Sequence, residues 1–301
     1  LRKQKKKLMT APTAAKILIV MFLWAVCFPL ITTGIDFAPH LTFATLRALL
    51  AGLSLTGLAF ALGRPFPKGR RVWTTLTIIG ITATSMGFFG MFHAAEFVAP
   101  GLATVIASTQ PLLAAILAGL FLNEQLSTSG KIGLILGFLG ILVISAPQFF
   151  GAGQASYAFG LFYIILAALG ITLSNVLIKR LAGEVDALMA MGLQMLIGSI
   201  PLGLIAISIE DPTSIQWTIS FLSDLIALSL FGTALAYWAW FSVLEKTPLS
   251  QANAFSFLVP IFGLALGILF YGEVLSWLQI AGVAIVILGV SLVSRKGIIE
   301  S

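Results

Sequence analysis

Charge is what this sequence has least of. Only 9% of its 301 residues are Asp, Glu, Lys or Arg, against about 25% in a soluble domain, too few to clothe a globule in water. Cysteine is nearly absent too: Cys27 stands alone, which excludes an intrachain disulfide framework and any cysteine-cluster metal site. There are two histidines, His40 and His93, and no HExxH motif, mid-span carboxylate pair or nucleophile–base pair, which disfavours an intramembrane enzyme. The chain also lacks a selectivity-filter loop or a ring of charges, which disfavours a channel. No metal or cofactor site is expected.

What is present is apolar. Hydrophobic residues make up 59% of the chain and the mean hydropathy is +1.06. Apolar runs fall near 14–34, 41–62, 72–93, 98–122, 130–147, 158–178, 186–208, 219–243, 249–271 and 276–294. A hydrocarbon core about 30 Å thick takes about 20 apolar residues per helix, so these runs predict ten transmembrane helices. Barrel strands would alternate polar and apolar positions, and these runs do not. The run Arg2, Lys3, Lys5, Lys6 and Lys7 precedes an apolar stretch that continues to Gly34 without a small-residue cleavage site, so a retained first span is expected rather than a signal peptide.

The net charge of +6 is explained by membrane orientation rather than by nucleic acid. With the amino terminus inside and the sides alternating at each span, sixteen of the 17 basic residues fall on the inner side. The exception, Arg47, lies within the second span. Acidic residues show no such bias, as the positive-inside rule requires, so both termini are expected in the cytoplasm.

The chain repeats itself. At an offset of 149 residues Glu96 meets Glu245, Pro111 meets Pro260, Glu124 meets Glu273, Ser127 meets Ser276, Gly133 meets Gly282 and Gly140 meets Gly289. Near an offset of 146, Gly52 meets Gly198 and Gly57 meets Gly203. The boundary falls at the charge-free loop near 148–157, giving units 1–150 and 151–301. Five spans per unit is odd, so the second copy enters from the opposite face. Such 5+5 inverted repeats around a central cavity are a hallmark of secondary transporters, with solute bound near the midplane.

The second-half pattern of Pro260, Gly272-Glu273, Ser276 and Gly282 to Gly289 has a weaker first-half copy at Pro111, Asn123-Glu124, Ser127 and Gly133 to Gly140. Together with Trp24 and the Leu46-Arg47-Ala48 segment, it resembles the EamA-type drug/metabolite transporter superfamily, most nearly the YddG-type aromatic amino-acid exporters. Asn123 departs from the glycine often found before that Glu. The resemblance implies a ten-helix basket whose cavity is lined by spans 1, 3, 4, 6, 8 and 9, and export of small metabolites across a bacterial inner membrane.

Pro111 and Pro260 sit midway along the fourth and ninth spans, each removing a backbone donor, and are candidate hinges. Thr104 with Ser108, and Asn253 with Ser256, form matched polar strips on the proline-bearing faces, directed to the cavity or to helix packing. Phe88, Phe89 and Phe92 in the third span match Tyr237, Trp238, Trp240 and Phe241 in the eighth; Trp24 and Phe28 belong to the first. An aromatic substrate wall of Trp24, Phe88, Tyr237 and Trp238, oriented by Gln110 and Asn175, is expected, with lipid-facing bulk as the alternative. Arg47 is open to a substrate carboxylate, a structural partner or the outer interface. Glu124 and Glu273 are expected to anchor loops. Gly133 and Gly137 have GxxxG spacing, which suits packing within a monomer or the seam of a weak homodimer.

Overall fold

The computed structural model describes residues 11–94, 109–149, 157–271, 274–295 and 298–300. It is nearly all helical. Eight helices are long and apolar enough to cross a membrane, and two shorter apolar helices accompany them. In chain order these are α1 (Ala11–Gly34), α2 (His40–Ala61), α3 (Arg70–Ala94), the short α4 (Gln110–Leu122), α5 (Thr128–Phe149, its apolar part Thr128–Ile144), α6 (Tyr157–Leu181), α7 (Ala187–Ile209), α8 (Ile219–Leu244), α9 (Leu249–Ala254, then Leu258–Tyr271) and α10 (Trp277–Arg295). The chain is thus a polytopic membrane protein. Large apolar side chains such as Leu53, Phe60, Leu120, Ile200, Ile207 and Leu269 point outward, more than half of each exposed, where hydrocarbon is the only favourable solvent.

Helix ends are tied down by carboxylates from other helices' loops. Glu124, after α4, accepts the N–H groups of Leu249 (2.7 Å) and Ser250 (3.0 Å) and the Ser250 hydroxyl (2.8 Å) at the start of α9. Glu210, after α7, accepts those of Leu41 (2.9 Å) and Thr42 (2.7 Å) and the Thr42 hydroxyl (2.7 Å) at the start of α2. Both helices begin after an extended proline, Pro248 and Pro39, and each carboxylate supplies acceptors for N–H groups that have no partner inside the helix. Glu124 is therefore a structural anchor, as expected; Glu273 and Glu96 lie outside the described residues. Ser127 and Ser276 cap the helices that follow them, accepting from Gly130 N and Gln279 N. The turn at Asn123 forms without glycine: its φ of 54° is left-handed, a region Asn tolerates better than other side chains.

Two helix pairs run antiparallel at close range, α2 with α7 and α5 with α10. In the second pair the approach is set by glycines. A methyl group on Gly133 would sit 2.5 Å from the Gly289 carbonyl, and one on Gly282 would sit 2.8 Å from the Gly140 carbonyl. The GxxxG face is thus used within the monomer, which accounts for it without a dimer seam. α3 and α8 each contain a π-helical stretch, Gly80–Met86 and Leu228–Leu235. The first packs on α6 and α7, the second on α1 and α2. One departure from an all-helical chain is small: Glu124–Leu126 (β1) pairs antiparallel with Ile298–Glu300 (β2), Glu124 opposite Glu300, because the segment after Asn123 is extended and leaves an open edge.

The packed interior falls into two clusters. One gathers Ile17, Leu55, Leu76, Leu244 and Leu249 toward the end that carries Lys16; the other gathers Leu41, Phe43, Phe92, Phe221 and Leu225 toward the end that carries His40. Trp24 and Tyr237 pack against both, which places them at the waist of the bundle.

Three outcomes follow for thermal unfolding of the detergent-solubilised protein. Gly289→Leu forces α5 and α10 apart and should cost about 3 kcal/mol or more, whereas Gly57→Ala, with nothing within 4 Å of the added methyl, should be neutral or stabilise by up to about 1 kcal/mol. Glu124→Gln weakens a charged cap and should cost about 1–2 kcal/mol; an unchanged melting temperature would contradict the anchoring role.

Candidate functional site

The waist holds an aromatic and amide network that joins four helices. Trp24 of α1 meets Tyr237 of α8 edge-on at 6.2 Å between centroids and Trp240 at 5.3 Å. Trp240 donates its indole N–H to Asn175 Oδ1 of α6 at 2.9 Å. Asn175 donates to Asn253 Oδ1 of α9 at 3.4 Å, and Asn253 Nδ2 donates to the Leu249 carbonyl at 3.1 Å. Ser256 closes the chain by donating to the Asn253 carbonyl at 2.7 Å. In hydrocarbon such groups have no water to turn to, so they satisfy one another.

Five residues named from the sequence, Trp24, Asn175, Tyr237, Asn253 and Ser256, are thus brought together. Their availability differs. Asn175 and Asn253 are buried with their amides engaged, while Trp24, Tyr237 and Ser256 are half-buried. Trp240, fully buried at the centre of the network, carries more of the geometry than sequence reasoning gave it. Its signal was present as an aromatic residue three positions after Tyr237, one turn along the same face.

Other expected residues lie elsewhere. Trp238 faces the Lys16 end: Lys16 Nζ lies 5.6 Å from its ring centroid and donates to Ser242 Oγ at 2.9 Å. Phe88 is buried in the His40-side cluster. Gln110 is half-buried in the first turn of α4, and Pro111 follows it in that turn, where proline is well tolerated. Thr104 and Ser108 lie outside the described residues. In α9 the helix tightens into a 3₁₀ turn at Phe255–Phe257, just before Pro260 and around Ser256, the residue whose carbonyl that proline leaves unpaired.

Arg47 is not at an interface. Its side chain leaves α2, is 4% exposed, and ends among α1, α3 and α8. Nε donates to Thr233 Oγ1 at 2.6 Å, one terminal nitrogen reaches Cys27 Sγ at 3.8 Å, and the guanidinium carbon lies 4.5 Å from the Phe88 centroid and 5.9 Å from that of Phe92. Among the described residues it has no carboxylate partner. A cation on a spanning helix costs about 2.5–3.5 kcal/mol on insertion scales. A desolvated cation–π contact returns about 2 and a hydrogen bond to a charged group about 1.5–3, so the site holds the charge without an anion. Of the three readings open for Arg47, burial removes the outer interface, and Thr233 and Phe88 are structural partners.

A parallel contact joins α7 to α3. Thr84 Oγ1 donates to Gln194 Oε1 at 3.0 Å, and Gln194 Nε2 is buried without an acceptor among the described residues. In both places a long polar side chain from a second helix meets a threonine in a π-helical stretch. Thr233 also returns its hydroxyl to Leu228 O, five residues back, at 2.9 Å, the spacing of the π turn itself.

At the His40 end, His40 Nε2 lies 2.9 Å from His93 Nδ1 and His40 Nδ1 lies 3.1 Å from Glu210 Oε1. A cavity of about 390 Å³ opens beside them, lined among others by Asp36, His40, Phe92 and Gln216. At the other end Arg64 approaches Asp186 at 3.8 Å, while Asp186 caps α7. No cluster of three or more metal-ligating side chains occurs among the described residues.

Comparison with known proteins agrees with this architecture. A solved crystal structure superposes with a TM-score of 0.79 at 18% identity, covering 95% of this chain and 98% of that one, which speaks to fold alone. The "Uncharacterized transporter YvbV" of Bacillus subtilis is 28% identical over 97% of this chain and 94% of its own length. A "Probable amino-acid metabolite efflux pump" of Salmonella typhimurium is 27% identical over 90% and 91%. The pattern describing the EamA-like transporter family matches residues 12–146 and again 158–295, and on that double match the chain belongs to the EamA-like transporter family.

Proposed function

We propose that this membrane transporter is a ten-span exporter of small metabolites, built as inverted five-helix repeats over 1–150 and 151–301 and working by alternating access around its waist. Its cargo is an amino acid with an aromatic or other apolar side chain. The observation that carries this is the Trp24, Tyr237, Trp240, Asn175 and Asn253 network: it draws α1 from one half and α6, α8 and α9 from the other to a single mid-bundle point, where half-buried aromatic faces border engaged amides.

Several contacts support the inverted repeat. Gly133 packs on Gly289 and Gly140 on Gly282, so each glycine meets the repeat mate of the other. The π-helical stretches lie within a residue of the 149-residue offset. Arg47 with Thr233 and Gln194 with Thr84 occupy matching positions in the two halves. A two-fold axis in the membrane plane produces such crossings, and a fold with it has two equivalent ways to open. The bias of Lys and Arg toward one side supports cytoplasmic termini in a bacterial inner membrane. The name of the similar Salmonella typhimurium efflux pump favours amino-acid metabolites and the outward direction. The 3₁₀ turn before Pro260 supports that proline as a hinge, with Pro111 its counterpart.

Counterflow in proteoliposomes tests the reading. Phe and Trp should exchange at least about tenfold faster than Thr, a difference set by burial of the ring, and Trp24→Ala should remove most of it. Equal rates for Thr and Phe would end the aromatic assignment, and failure of every amino acid and metabolite to move would end the transport reading. Pro260→Ala restores a helical hydrogen bond, so it should raise the melting temperature and slow exchange severalfold with binding unchanged. Unaltered exchange would remove the hinge.

A further inference from the structure

Resting on the transport reading just given, we infer that Arg47 is the carboxylate anchor of the transported solute, so that the cargo is an organic anion or zwitterion whose carboxylate enters the guanidinium fork. Arg47 is almost fully buried, and among the described residues no Asp or Glu comes within ion-pair distance of it. Its neighbours are neutral: a hydroxyl, a thiol and two aromatic rings. A guanidinium carries five N–H donors. One goes to Thr233 and one to Cys27, leaving three without an acceptor among the described residues. Two parallel N–H groups are what a carboxylate takes up most strongly.

The position suits a solute site as well as the chemistry does. Arg47 starts on α2 but reaches α1 through Cys27, α3 through Phe88 and α8 through Thr233. Cys27 and Phe88 belong to the same packed cluster that Trp24 and Tyr237 border. A molecule with its carboxylate on Arg47 therefore meets the aromatic faces of the waist with its side chain. On the other side, Phe92 touches both regions, since its ring lies 5.9 Å from the guanidinium and lines the cavity beside His40. One aromatic side chain thus borders both the anchor and an opening to one face of the membrane.

The other half sharpens the assignment. Gln194 stands where Arg47 stands, holds a threonine of a π-helical stretch as Arg47 does, and is neutral. A side chain needed only to tie a second helix to a π stretch can be an amide. The positive charge is the extra element, and a fixed cation in a low-dielectric interior selects an anion.

The test is a set of acid and amide pairs, L-phenylalanine, L-leucine, L-methionine and L-threonine each against its own carboxamide. Binding to the purified full chain is followed by tryptophan fluorescence, and exchange is followed in proteoliposomes. Wild-type protein should bind the acid of its preferred pair at least about tenfold tighter than the amide, the factor a charged hydrogen-bonded pair supplies. Arg47→Gln, which copies the residue at position 194, should bring that ratio to within about twofold of one, while Arg47→Lys keeps an intermediate preference. A merely structural arginine would change the melting temperature and leave the acid-to-amide ratio alone. A wild-type ratio near one in all pairs, or a ratio that survives in Arg47→Gln, overturns the inference. Exchange of neutral or cationic solutes without carboxylates would overturn it while leaving transport standing, and exchange of no solute at all would defeat the transport reading instead.

Discussion

A polar group inside a bilayer has no water to fall back on, and most of the polar contacts in this structure answer to that constraint. Threonines and serines along the helices donate to carbonyls a turn behind them, as Thr45, Ser54 and Thr172 do. Amides pair across helices at Asn175 and Asn253. Among the described residues no carboxylate enters the waist network; Glu124 and Glu210 stay at helix ends, where they meet backbone N–H groups left open by helix geometry. The result is a body whose surface is featureless hydrocarbon and whose specificity is turned inward.

The same constraint decides how the helices meet. Burial of apolar side chains gives little drive between helices in lipid, so close backbone approach carries the packing. Gly133, Gly140, Gly282 and Gly289 remove the side chains that would hold α5 and α10 apart. The π-helical stretches of α3 and α8 give the wider turns on which the second helices of both halves settle, each through a threonine. A seam of backbone contacts can slide with smaller loss than interlocked side chains, which suits the alternating access proposed above.

Much of the fold could be read from the chain. Eight of the ten apolar runs coincide with helices long enough to cross a membrane and the other two meet shorter apolar helices among the described residues, because length and hydropathy report directly on a 30 Å slab. The anchoring by Glu124 was readable from its place before a helix start, and Trp24, Tyr237 and Asn175 from residue type and depth. Other features were hidden for physical reasons. Nothing in GITATSM or LSLFGTAL announces a π turn, since the choice between i−4 and i−5 bonding rests on what packs alongside. The helix starts that Glu124 and Glu210 tie, those of α9 and α2, were hidden alike, because each lies more than a hundred residues from its carboxylate. Trp238 was expected at the waist, yet adjacent residues on a helix point about 100° apart, and only the position of Lys16 shows which way it turns.

In the proposed inverted repeat, Arg47 and Gln194 mark the place where the two-fold plan gives way. An inverted repeat supplies the same framework twice, and for tying helix to helix the two copies need not differ. Solutes, however, are asymmetric: an amino acid has a charged end and a side-chain end. A site at the centre of two equivalent halves can orient such a molecule only if the halves stop being equivalent there. The framework contacts at Thr233 and Thr84 are kept in both copies, and the charge appears in one. The asymmetry thus falls on the side chain that the lipid environment makes most costly to place, and that cost is what gives the single guanidinium its power to select an anion.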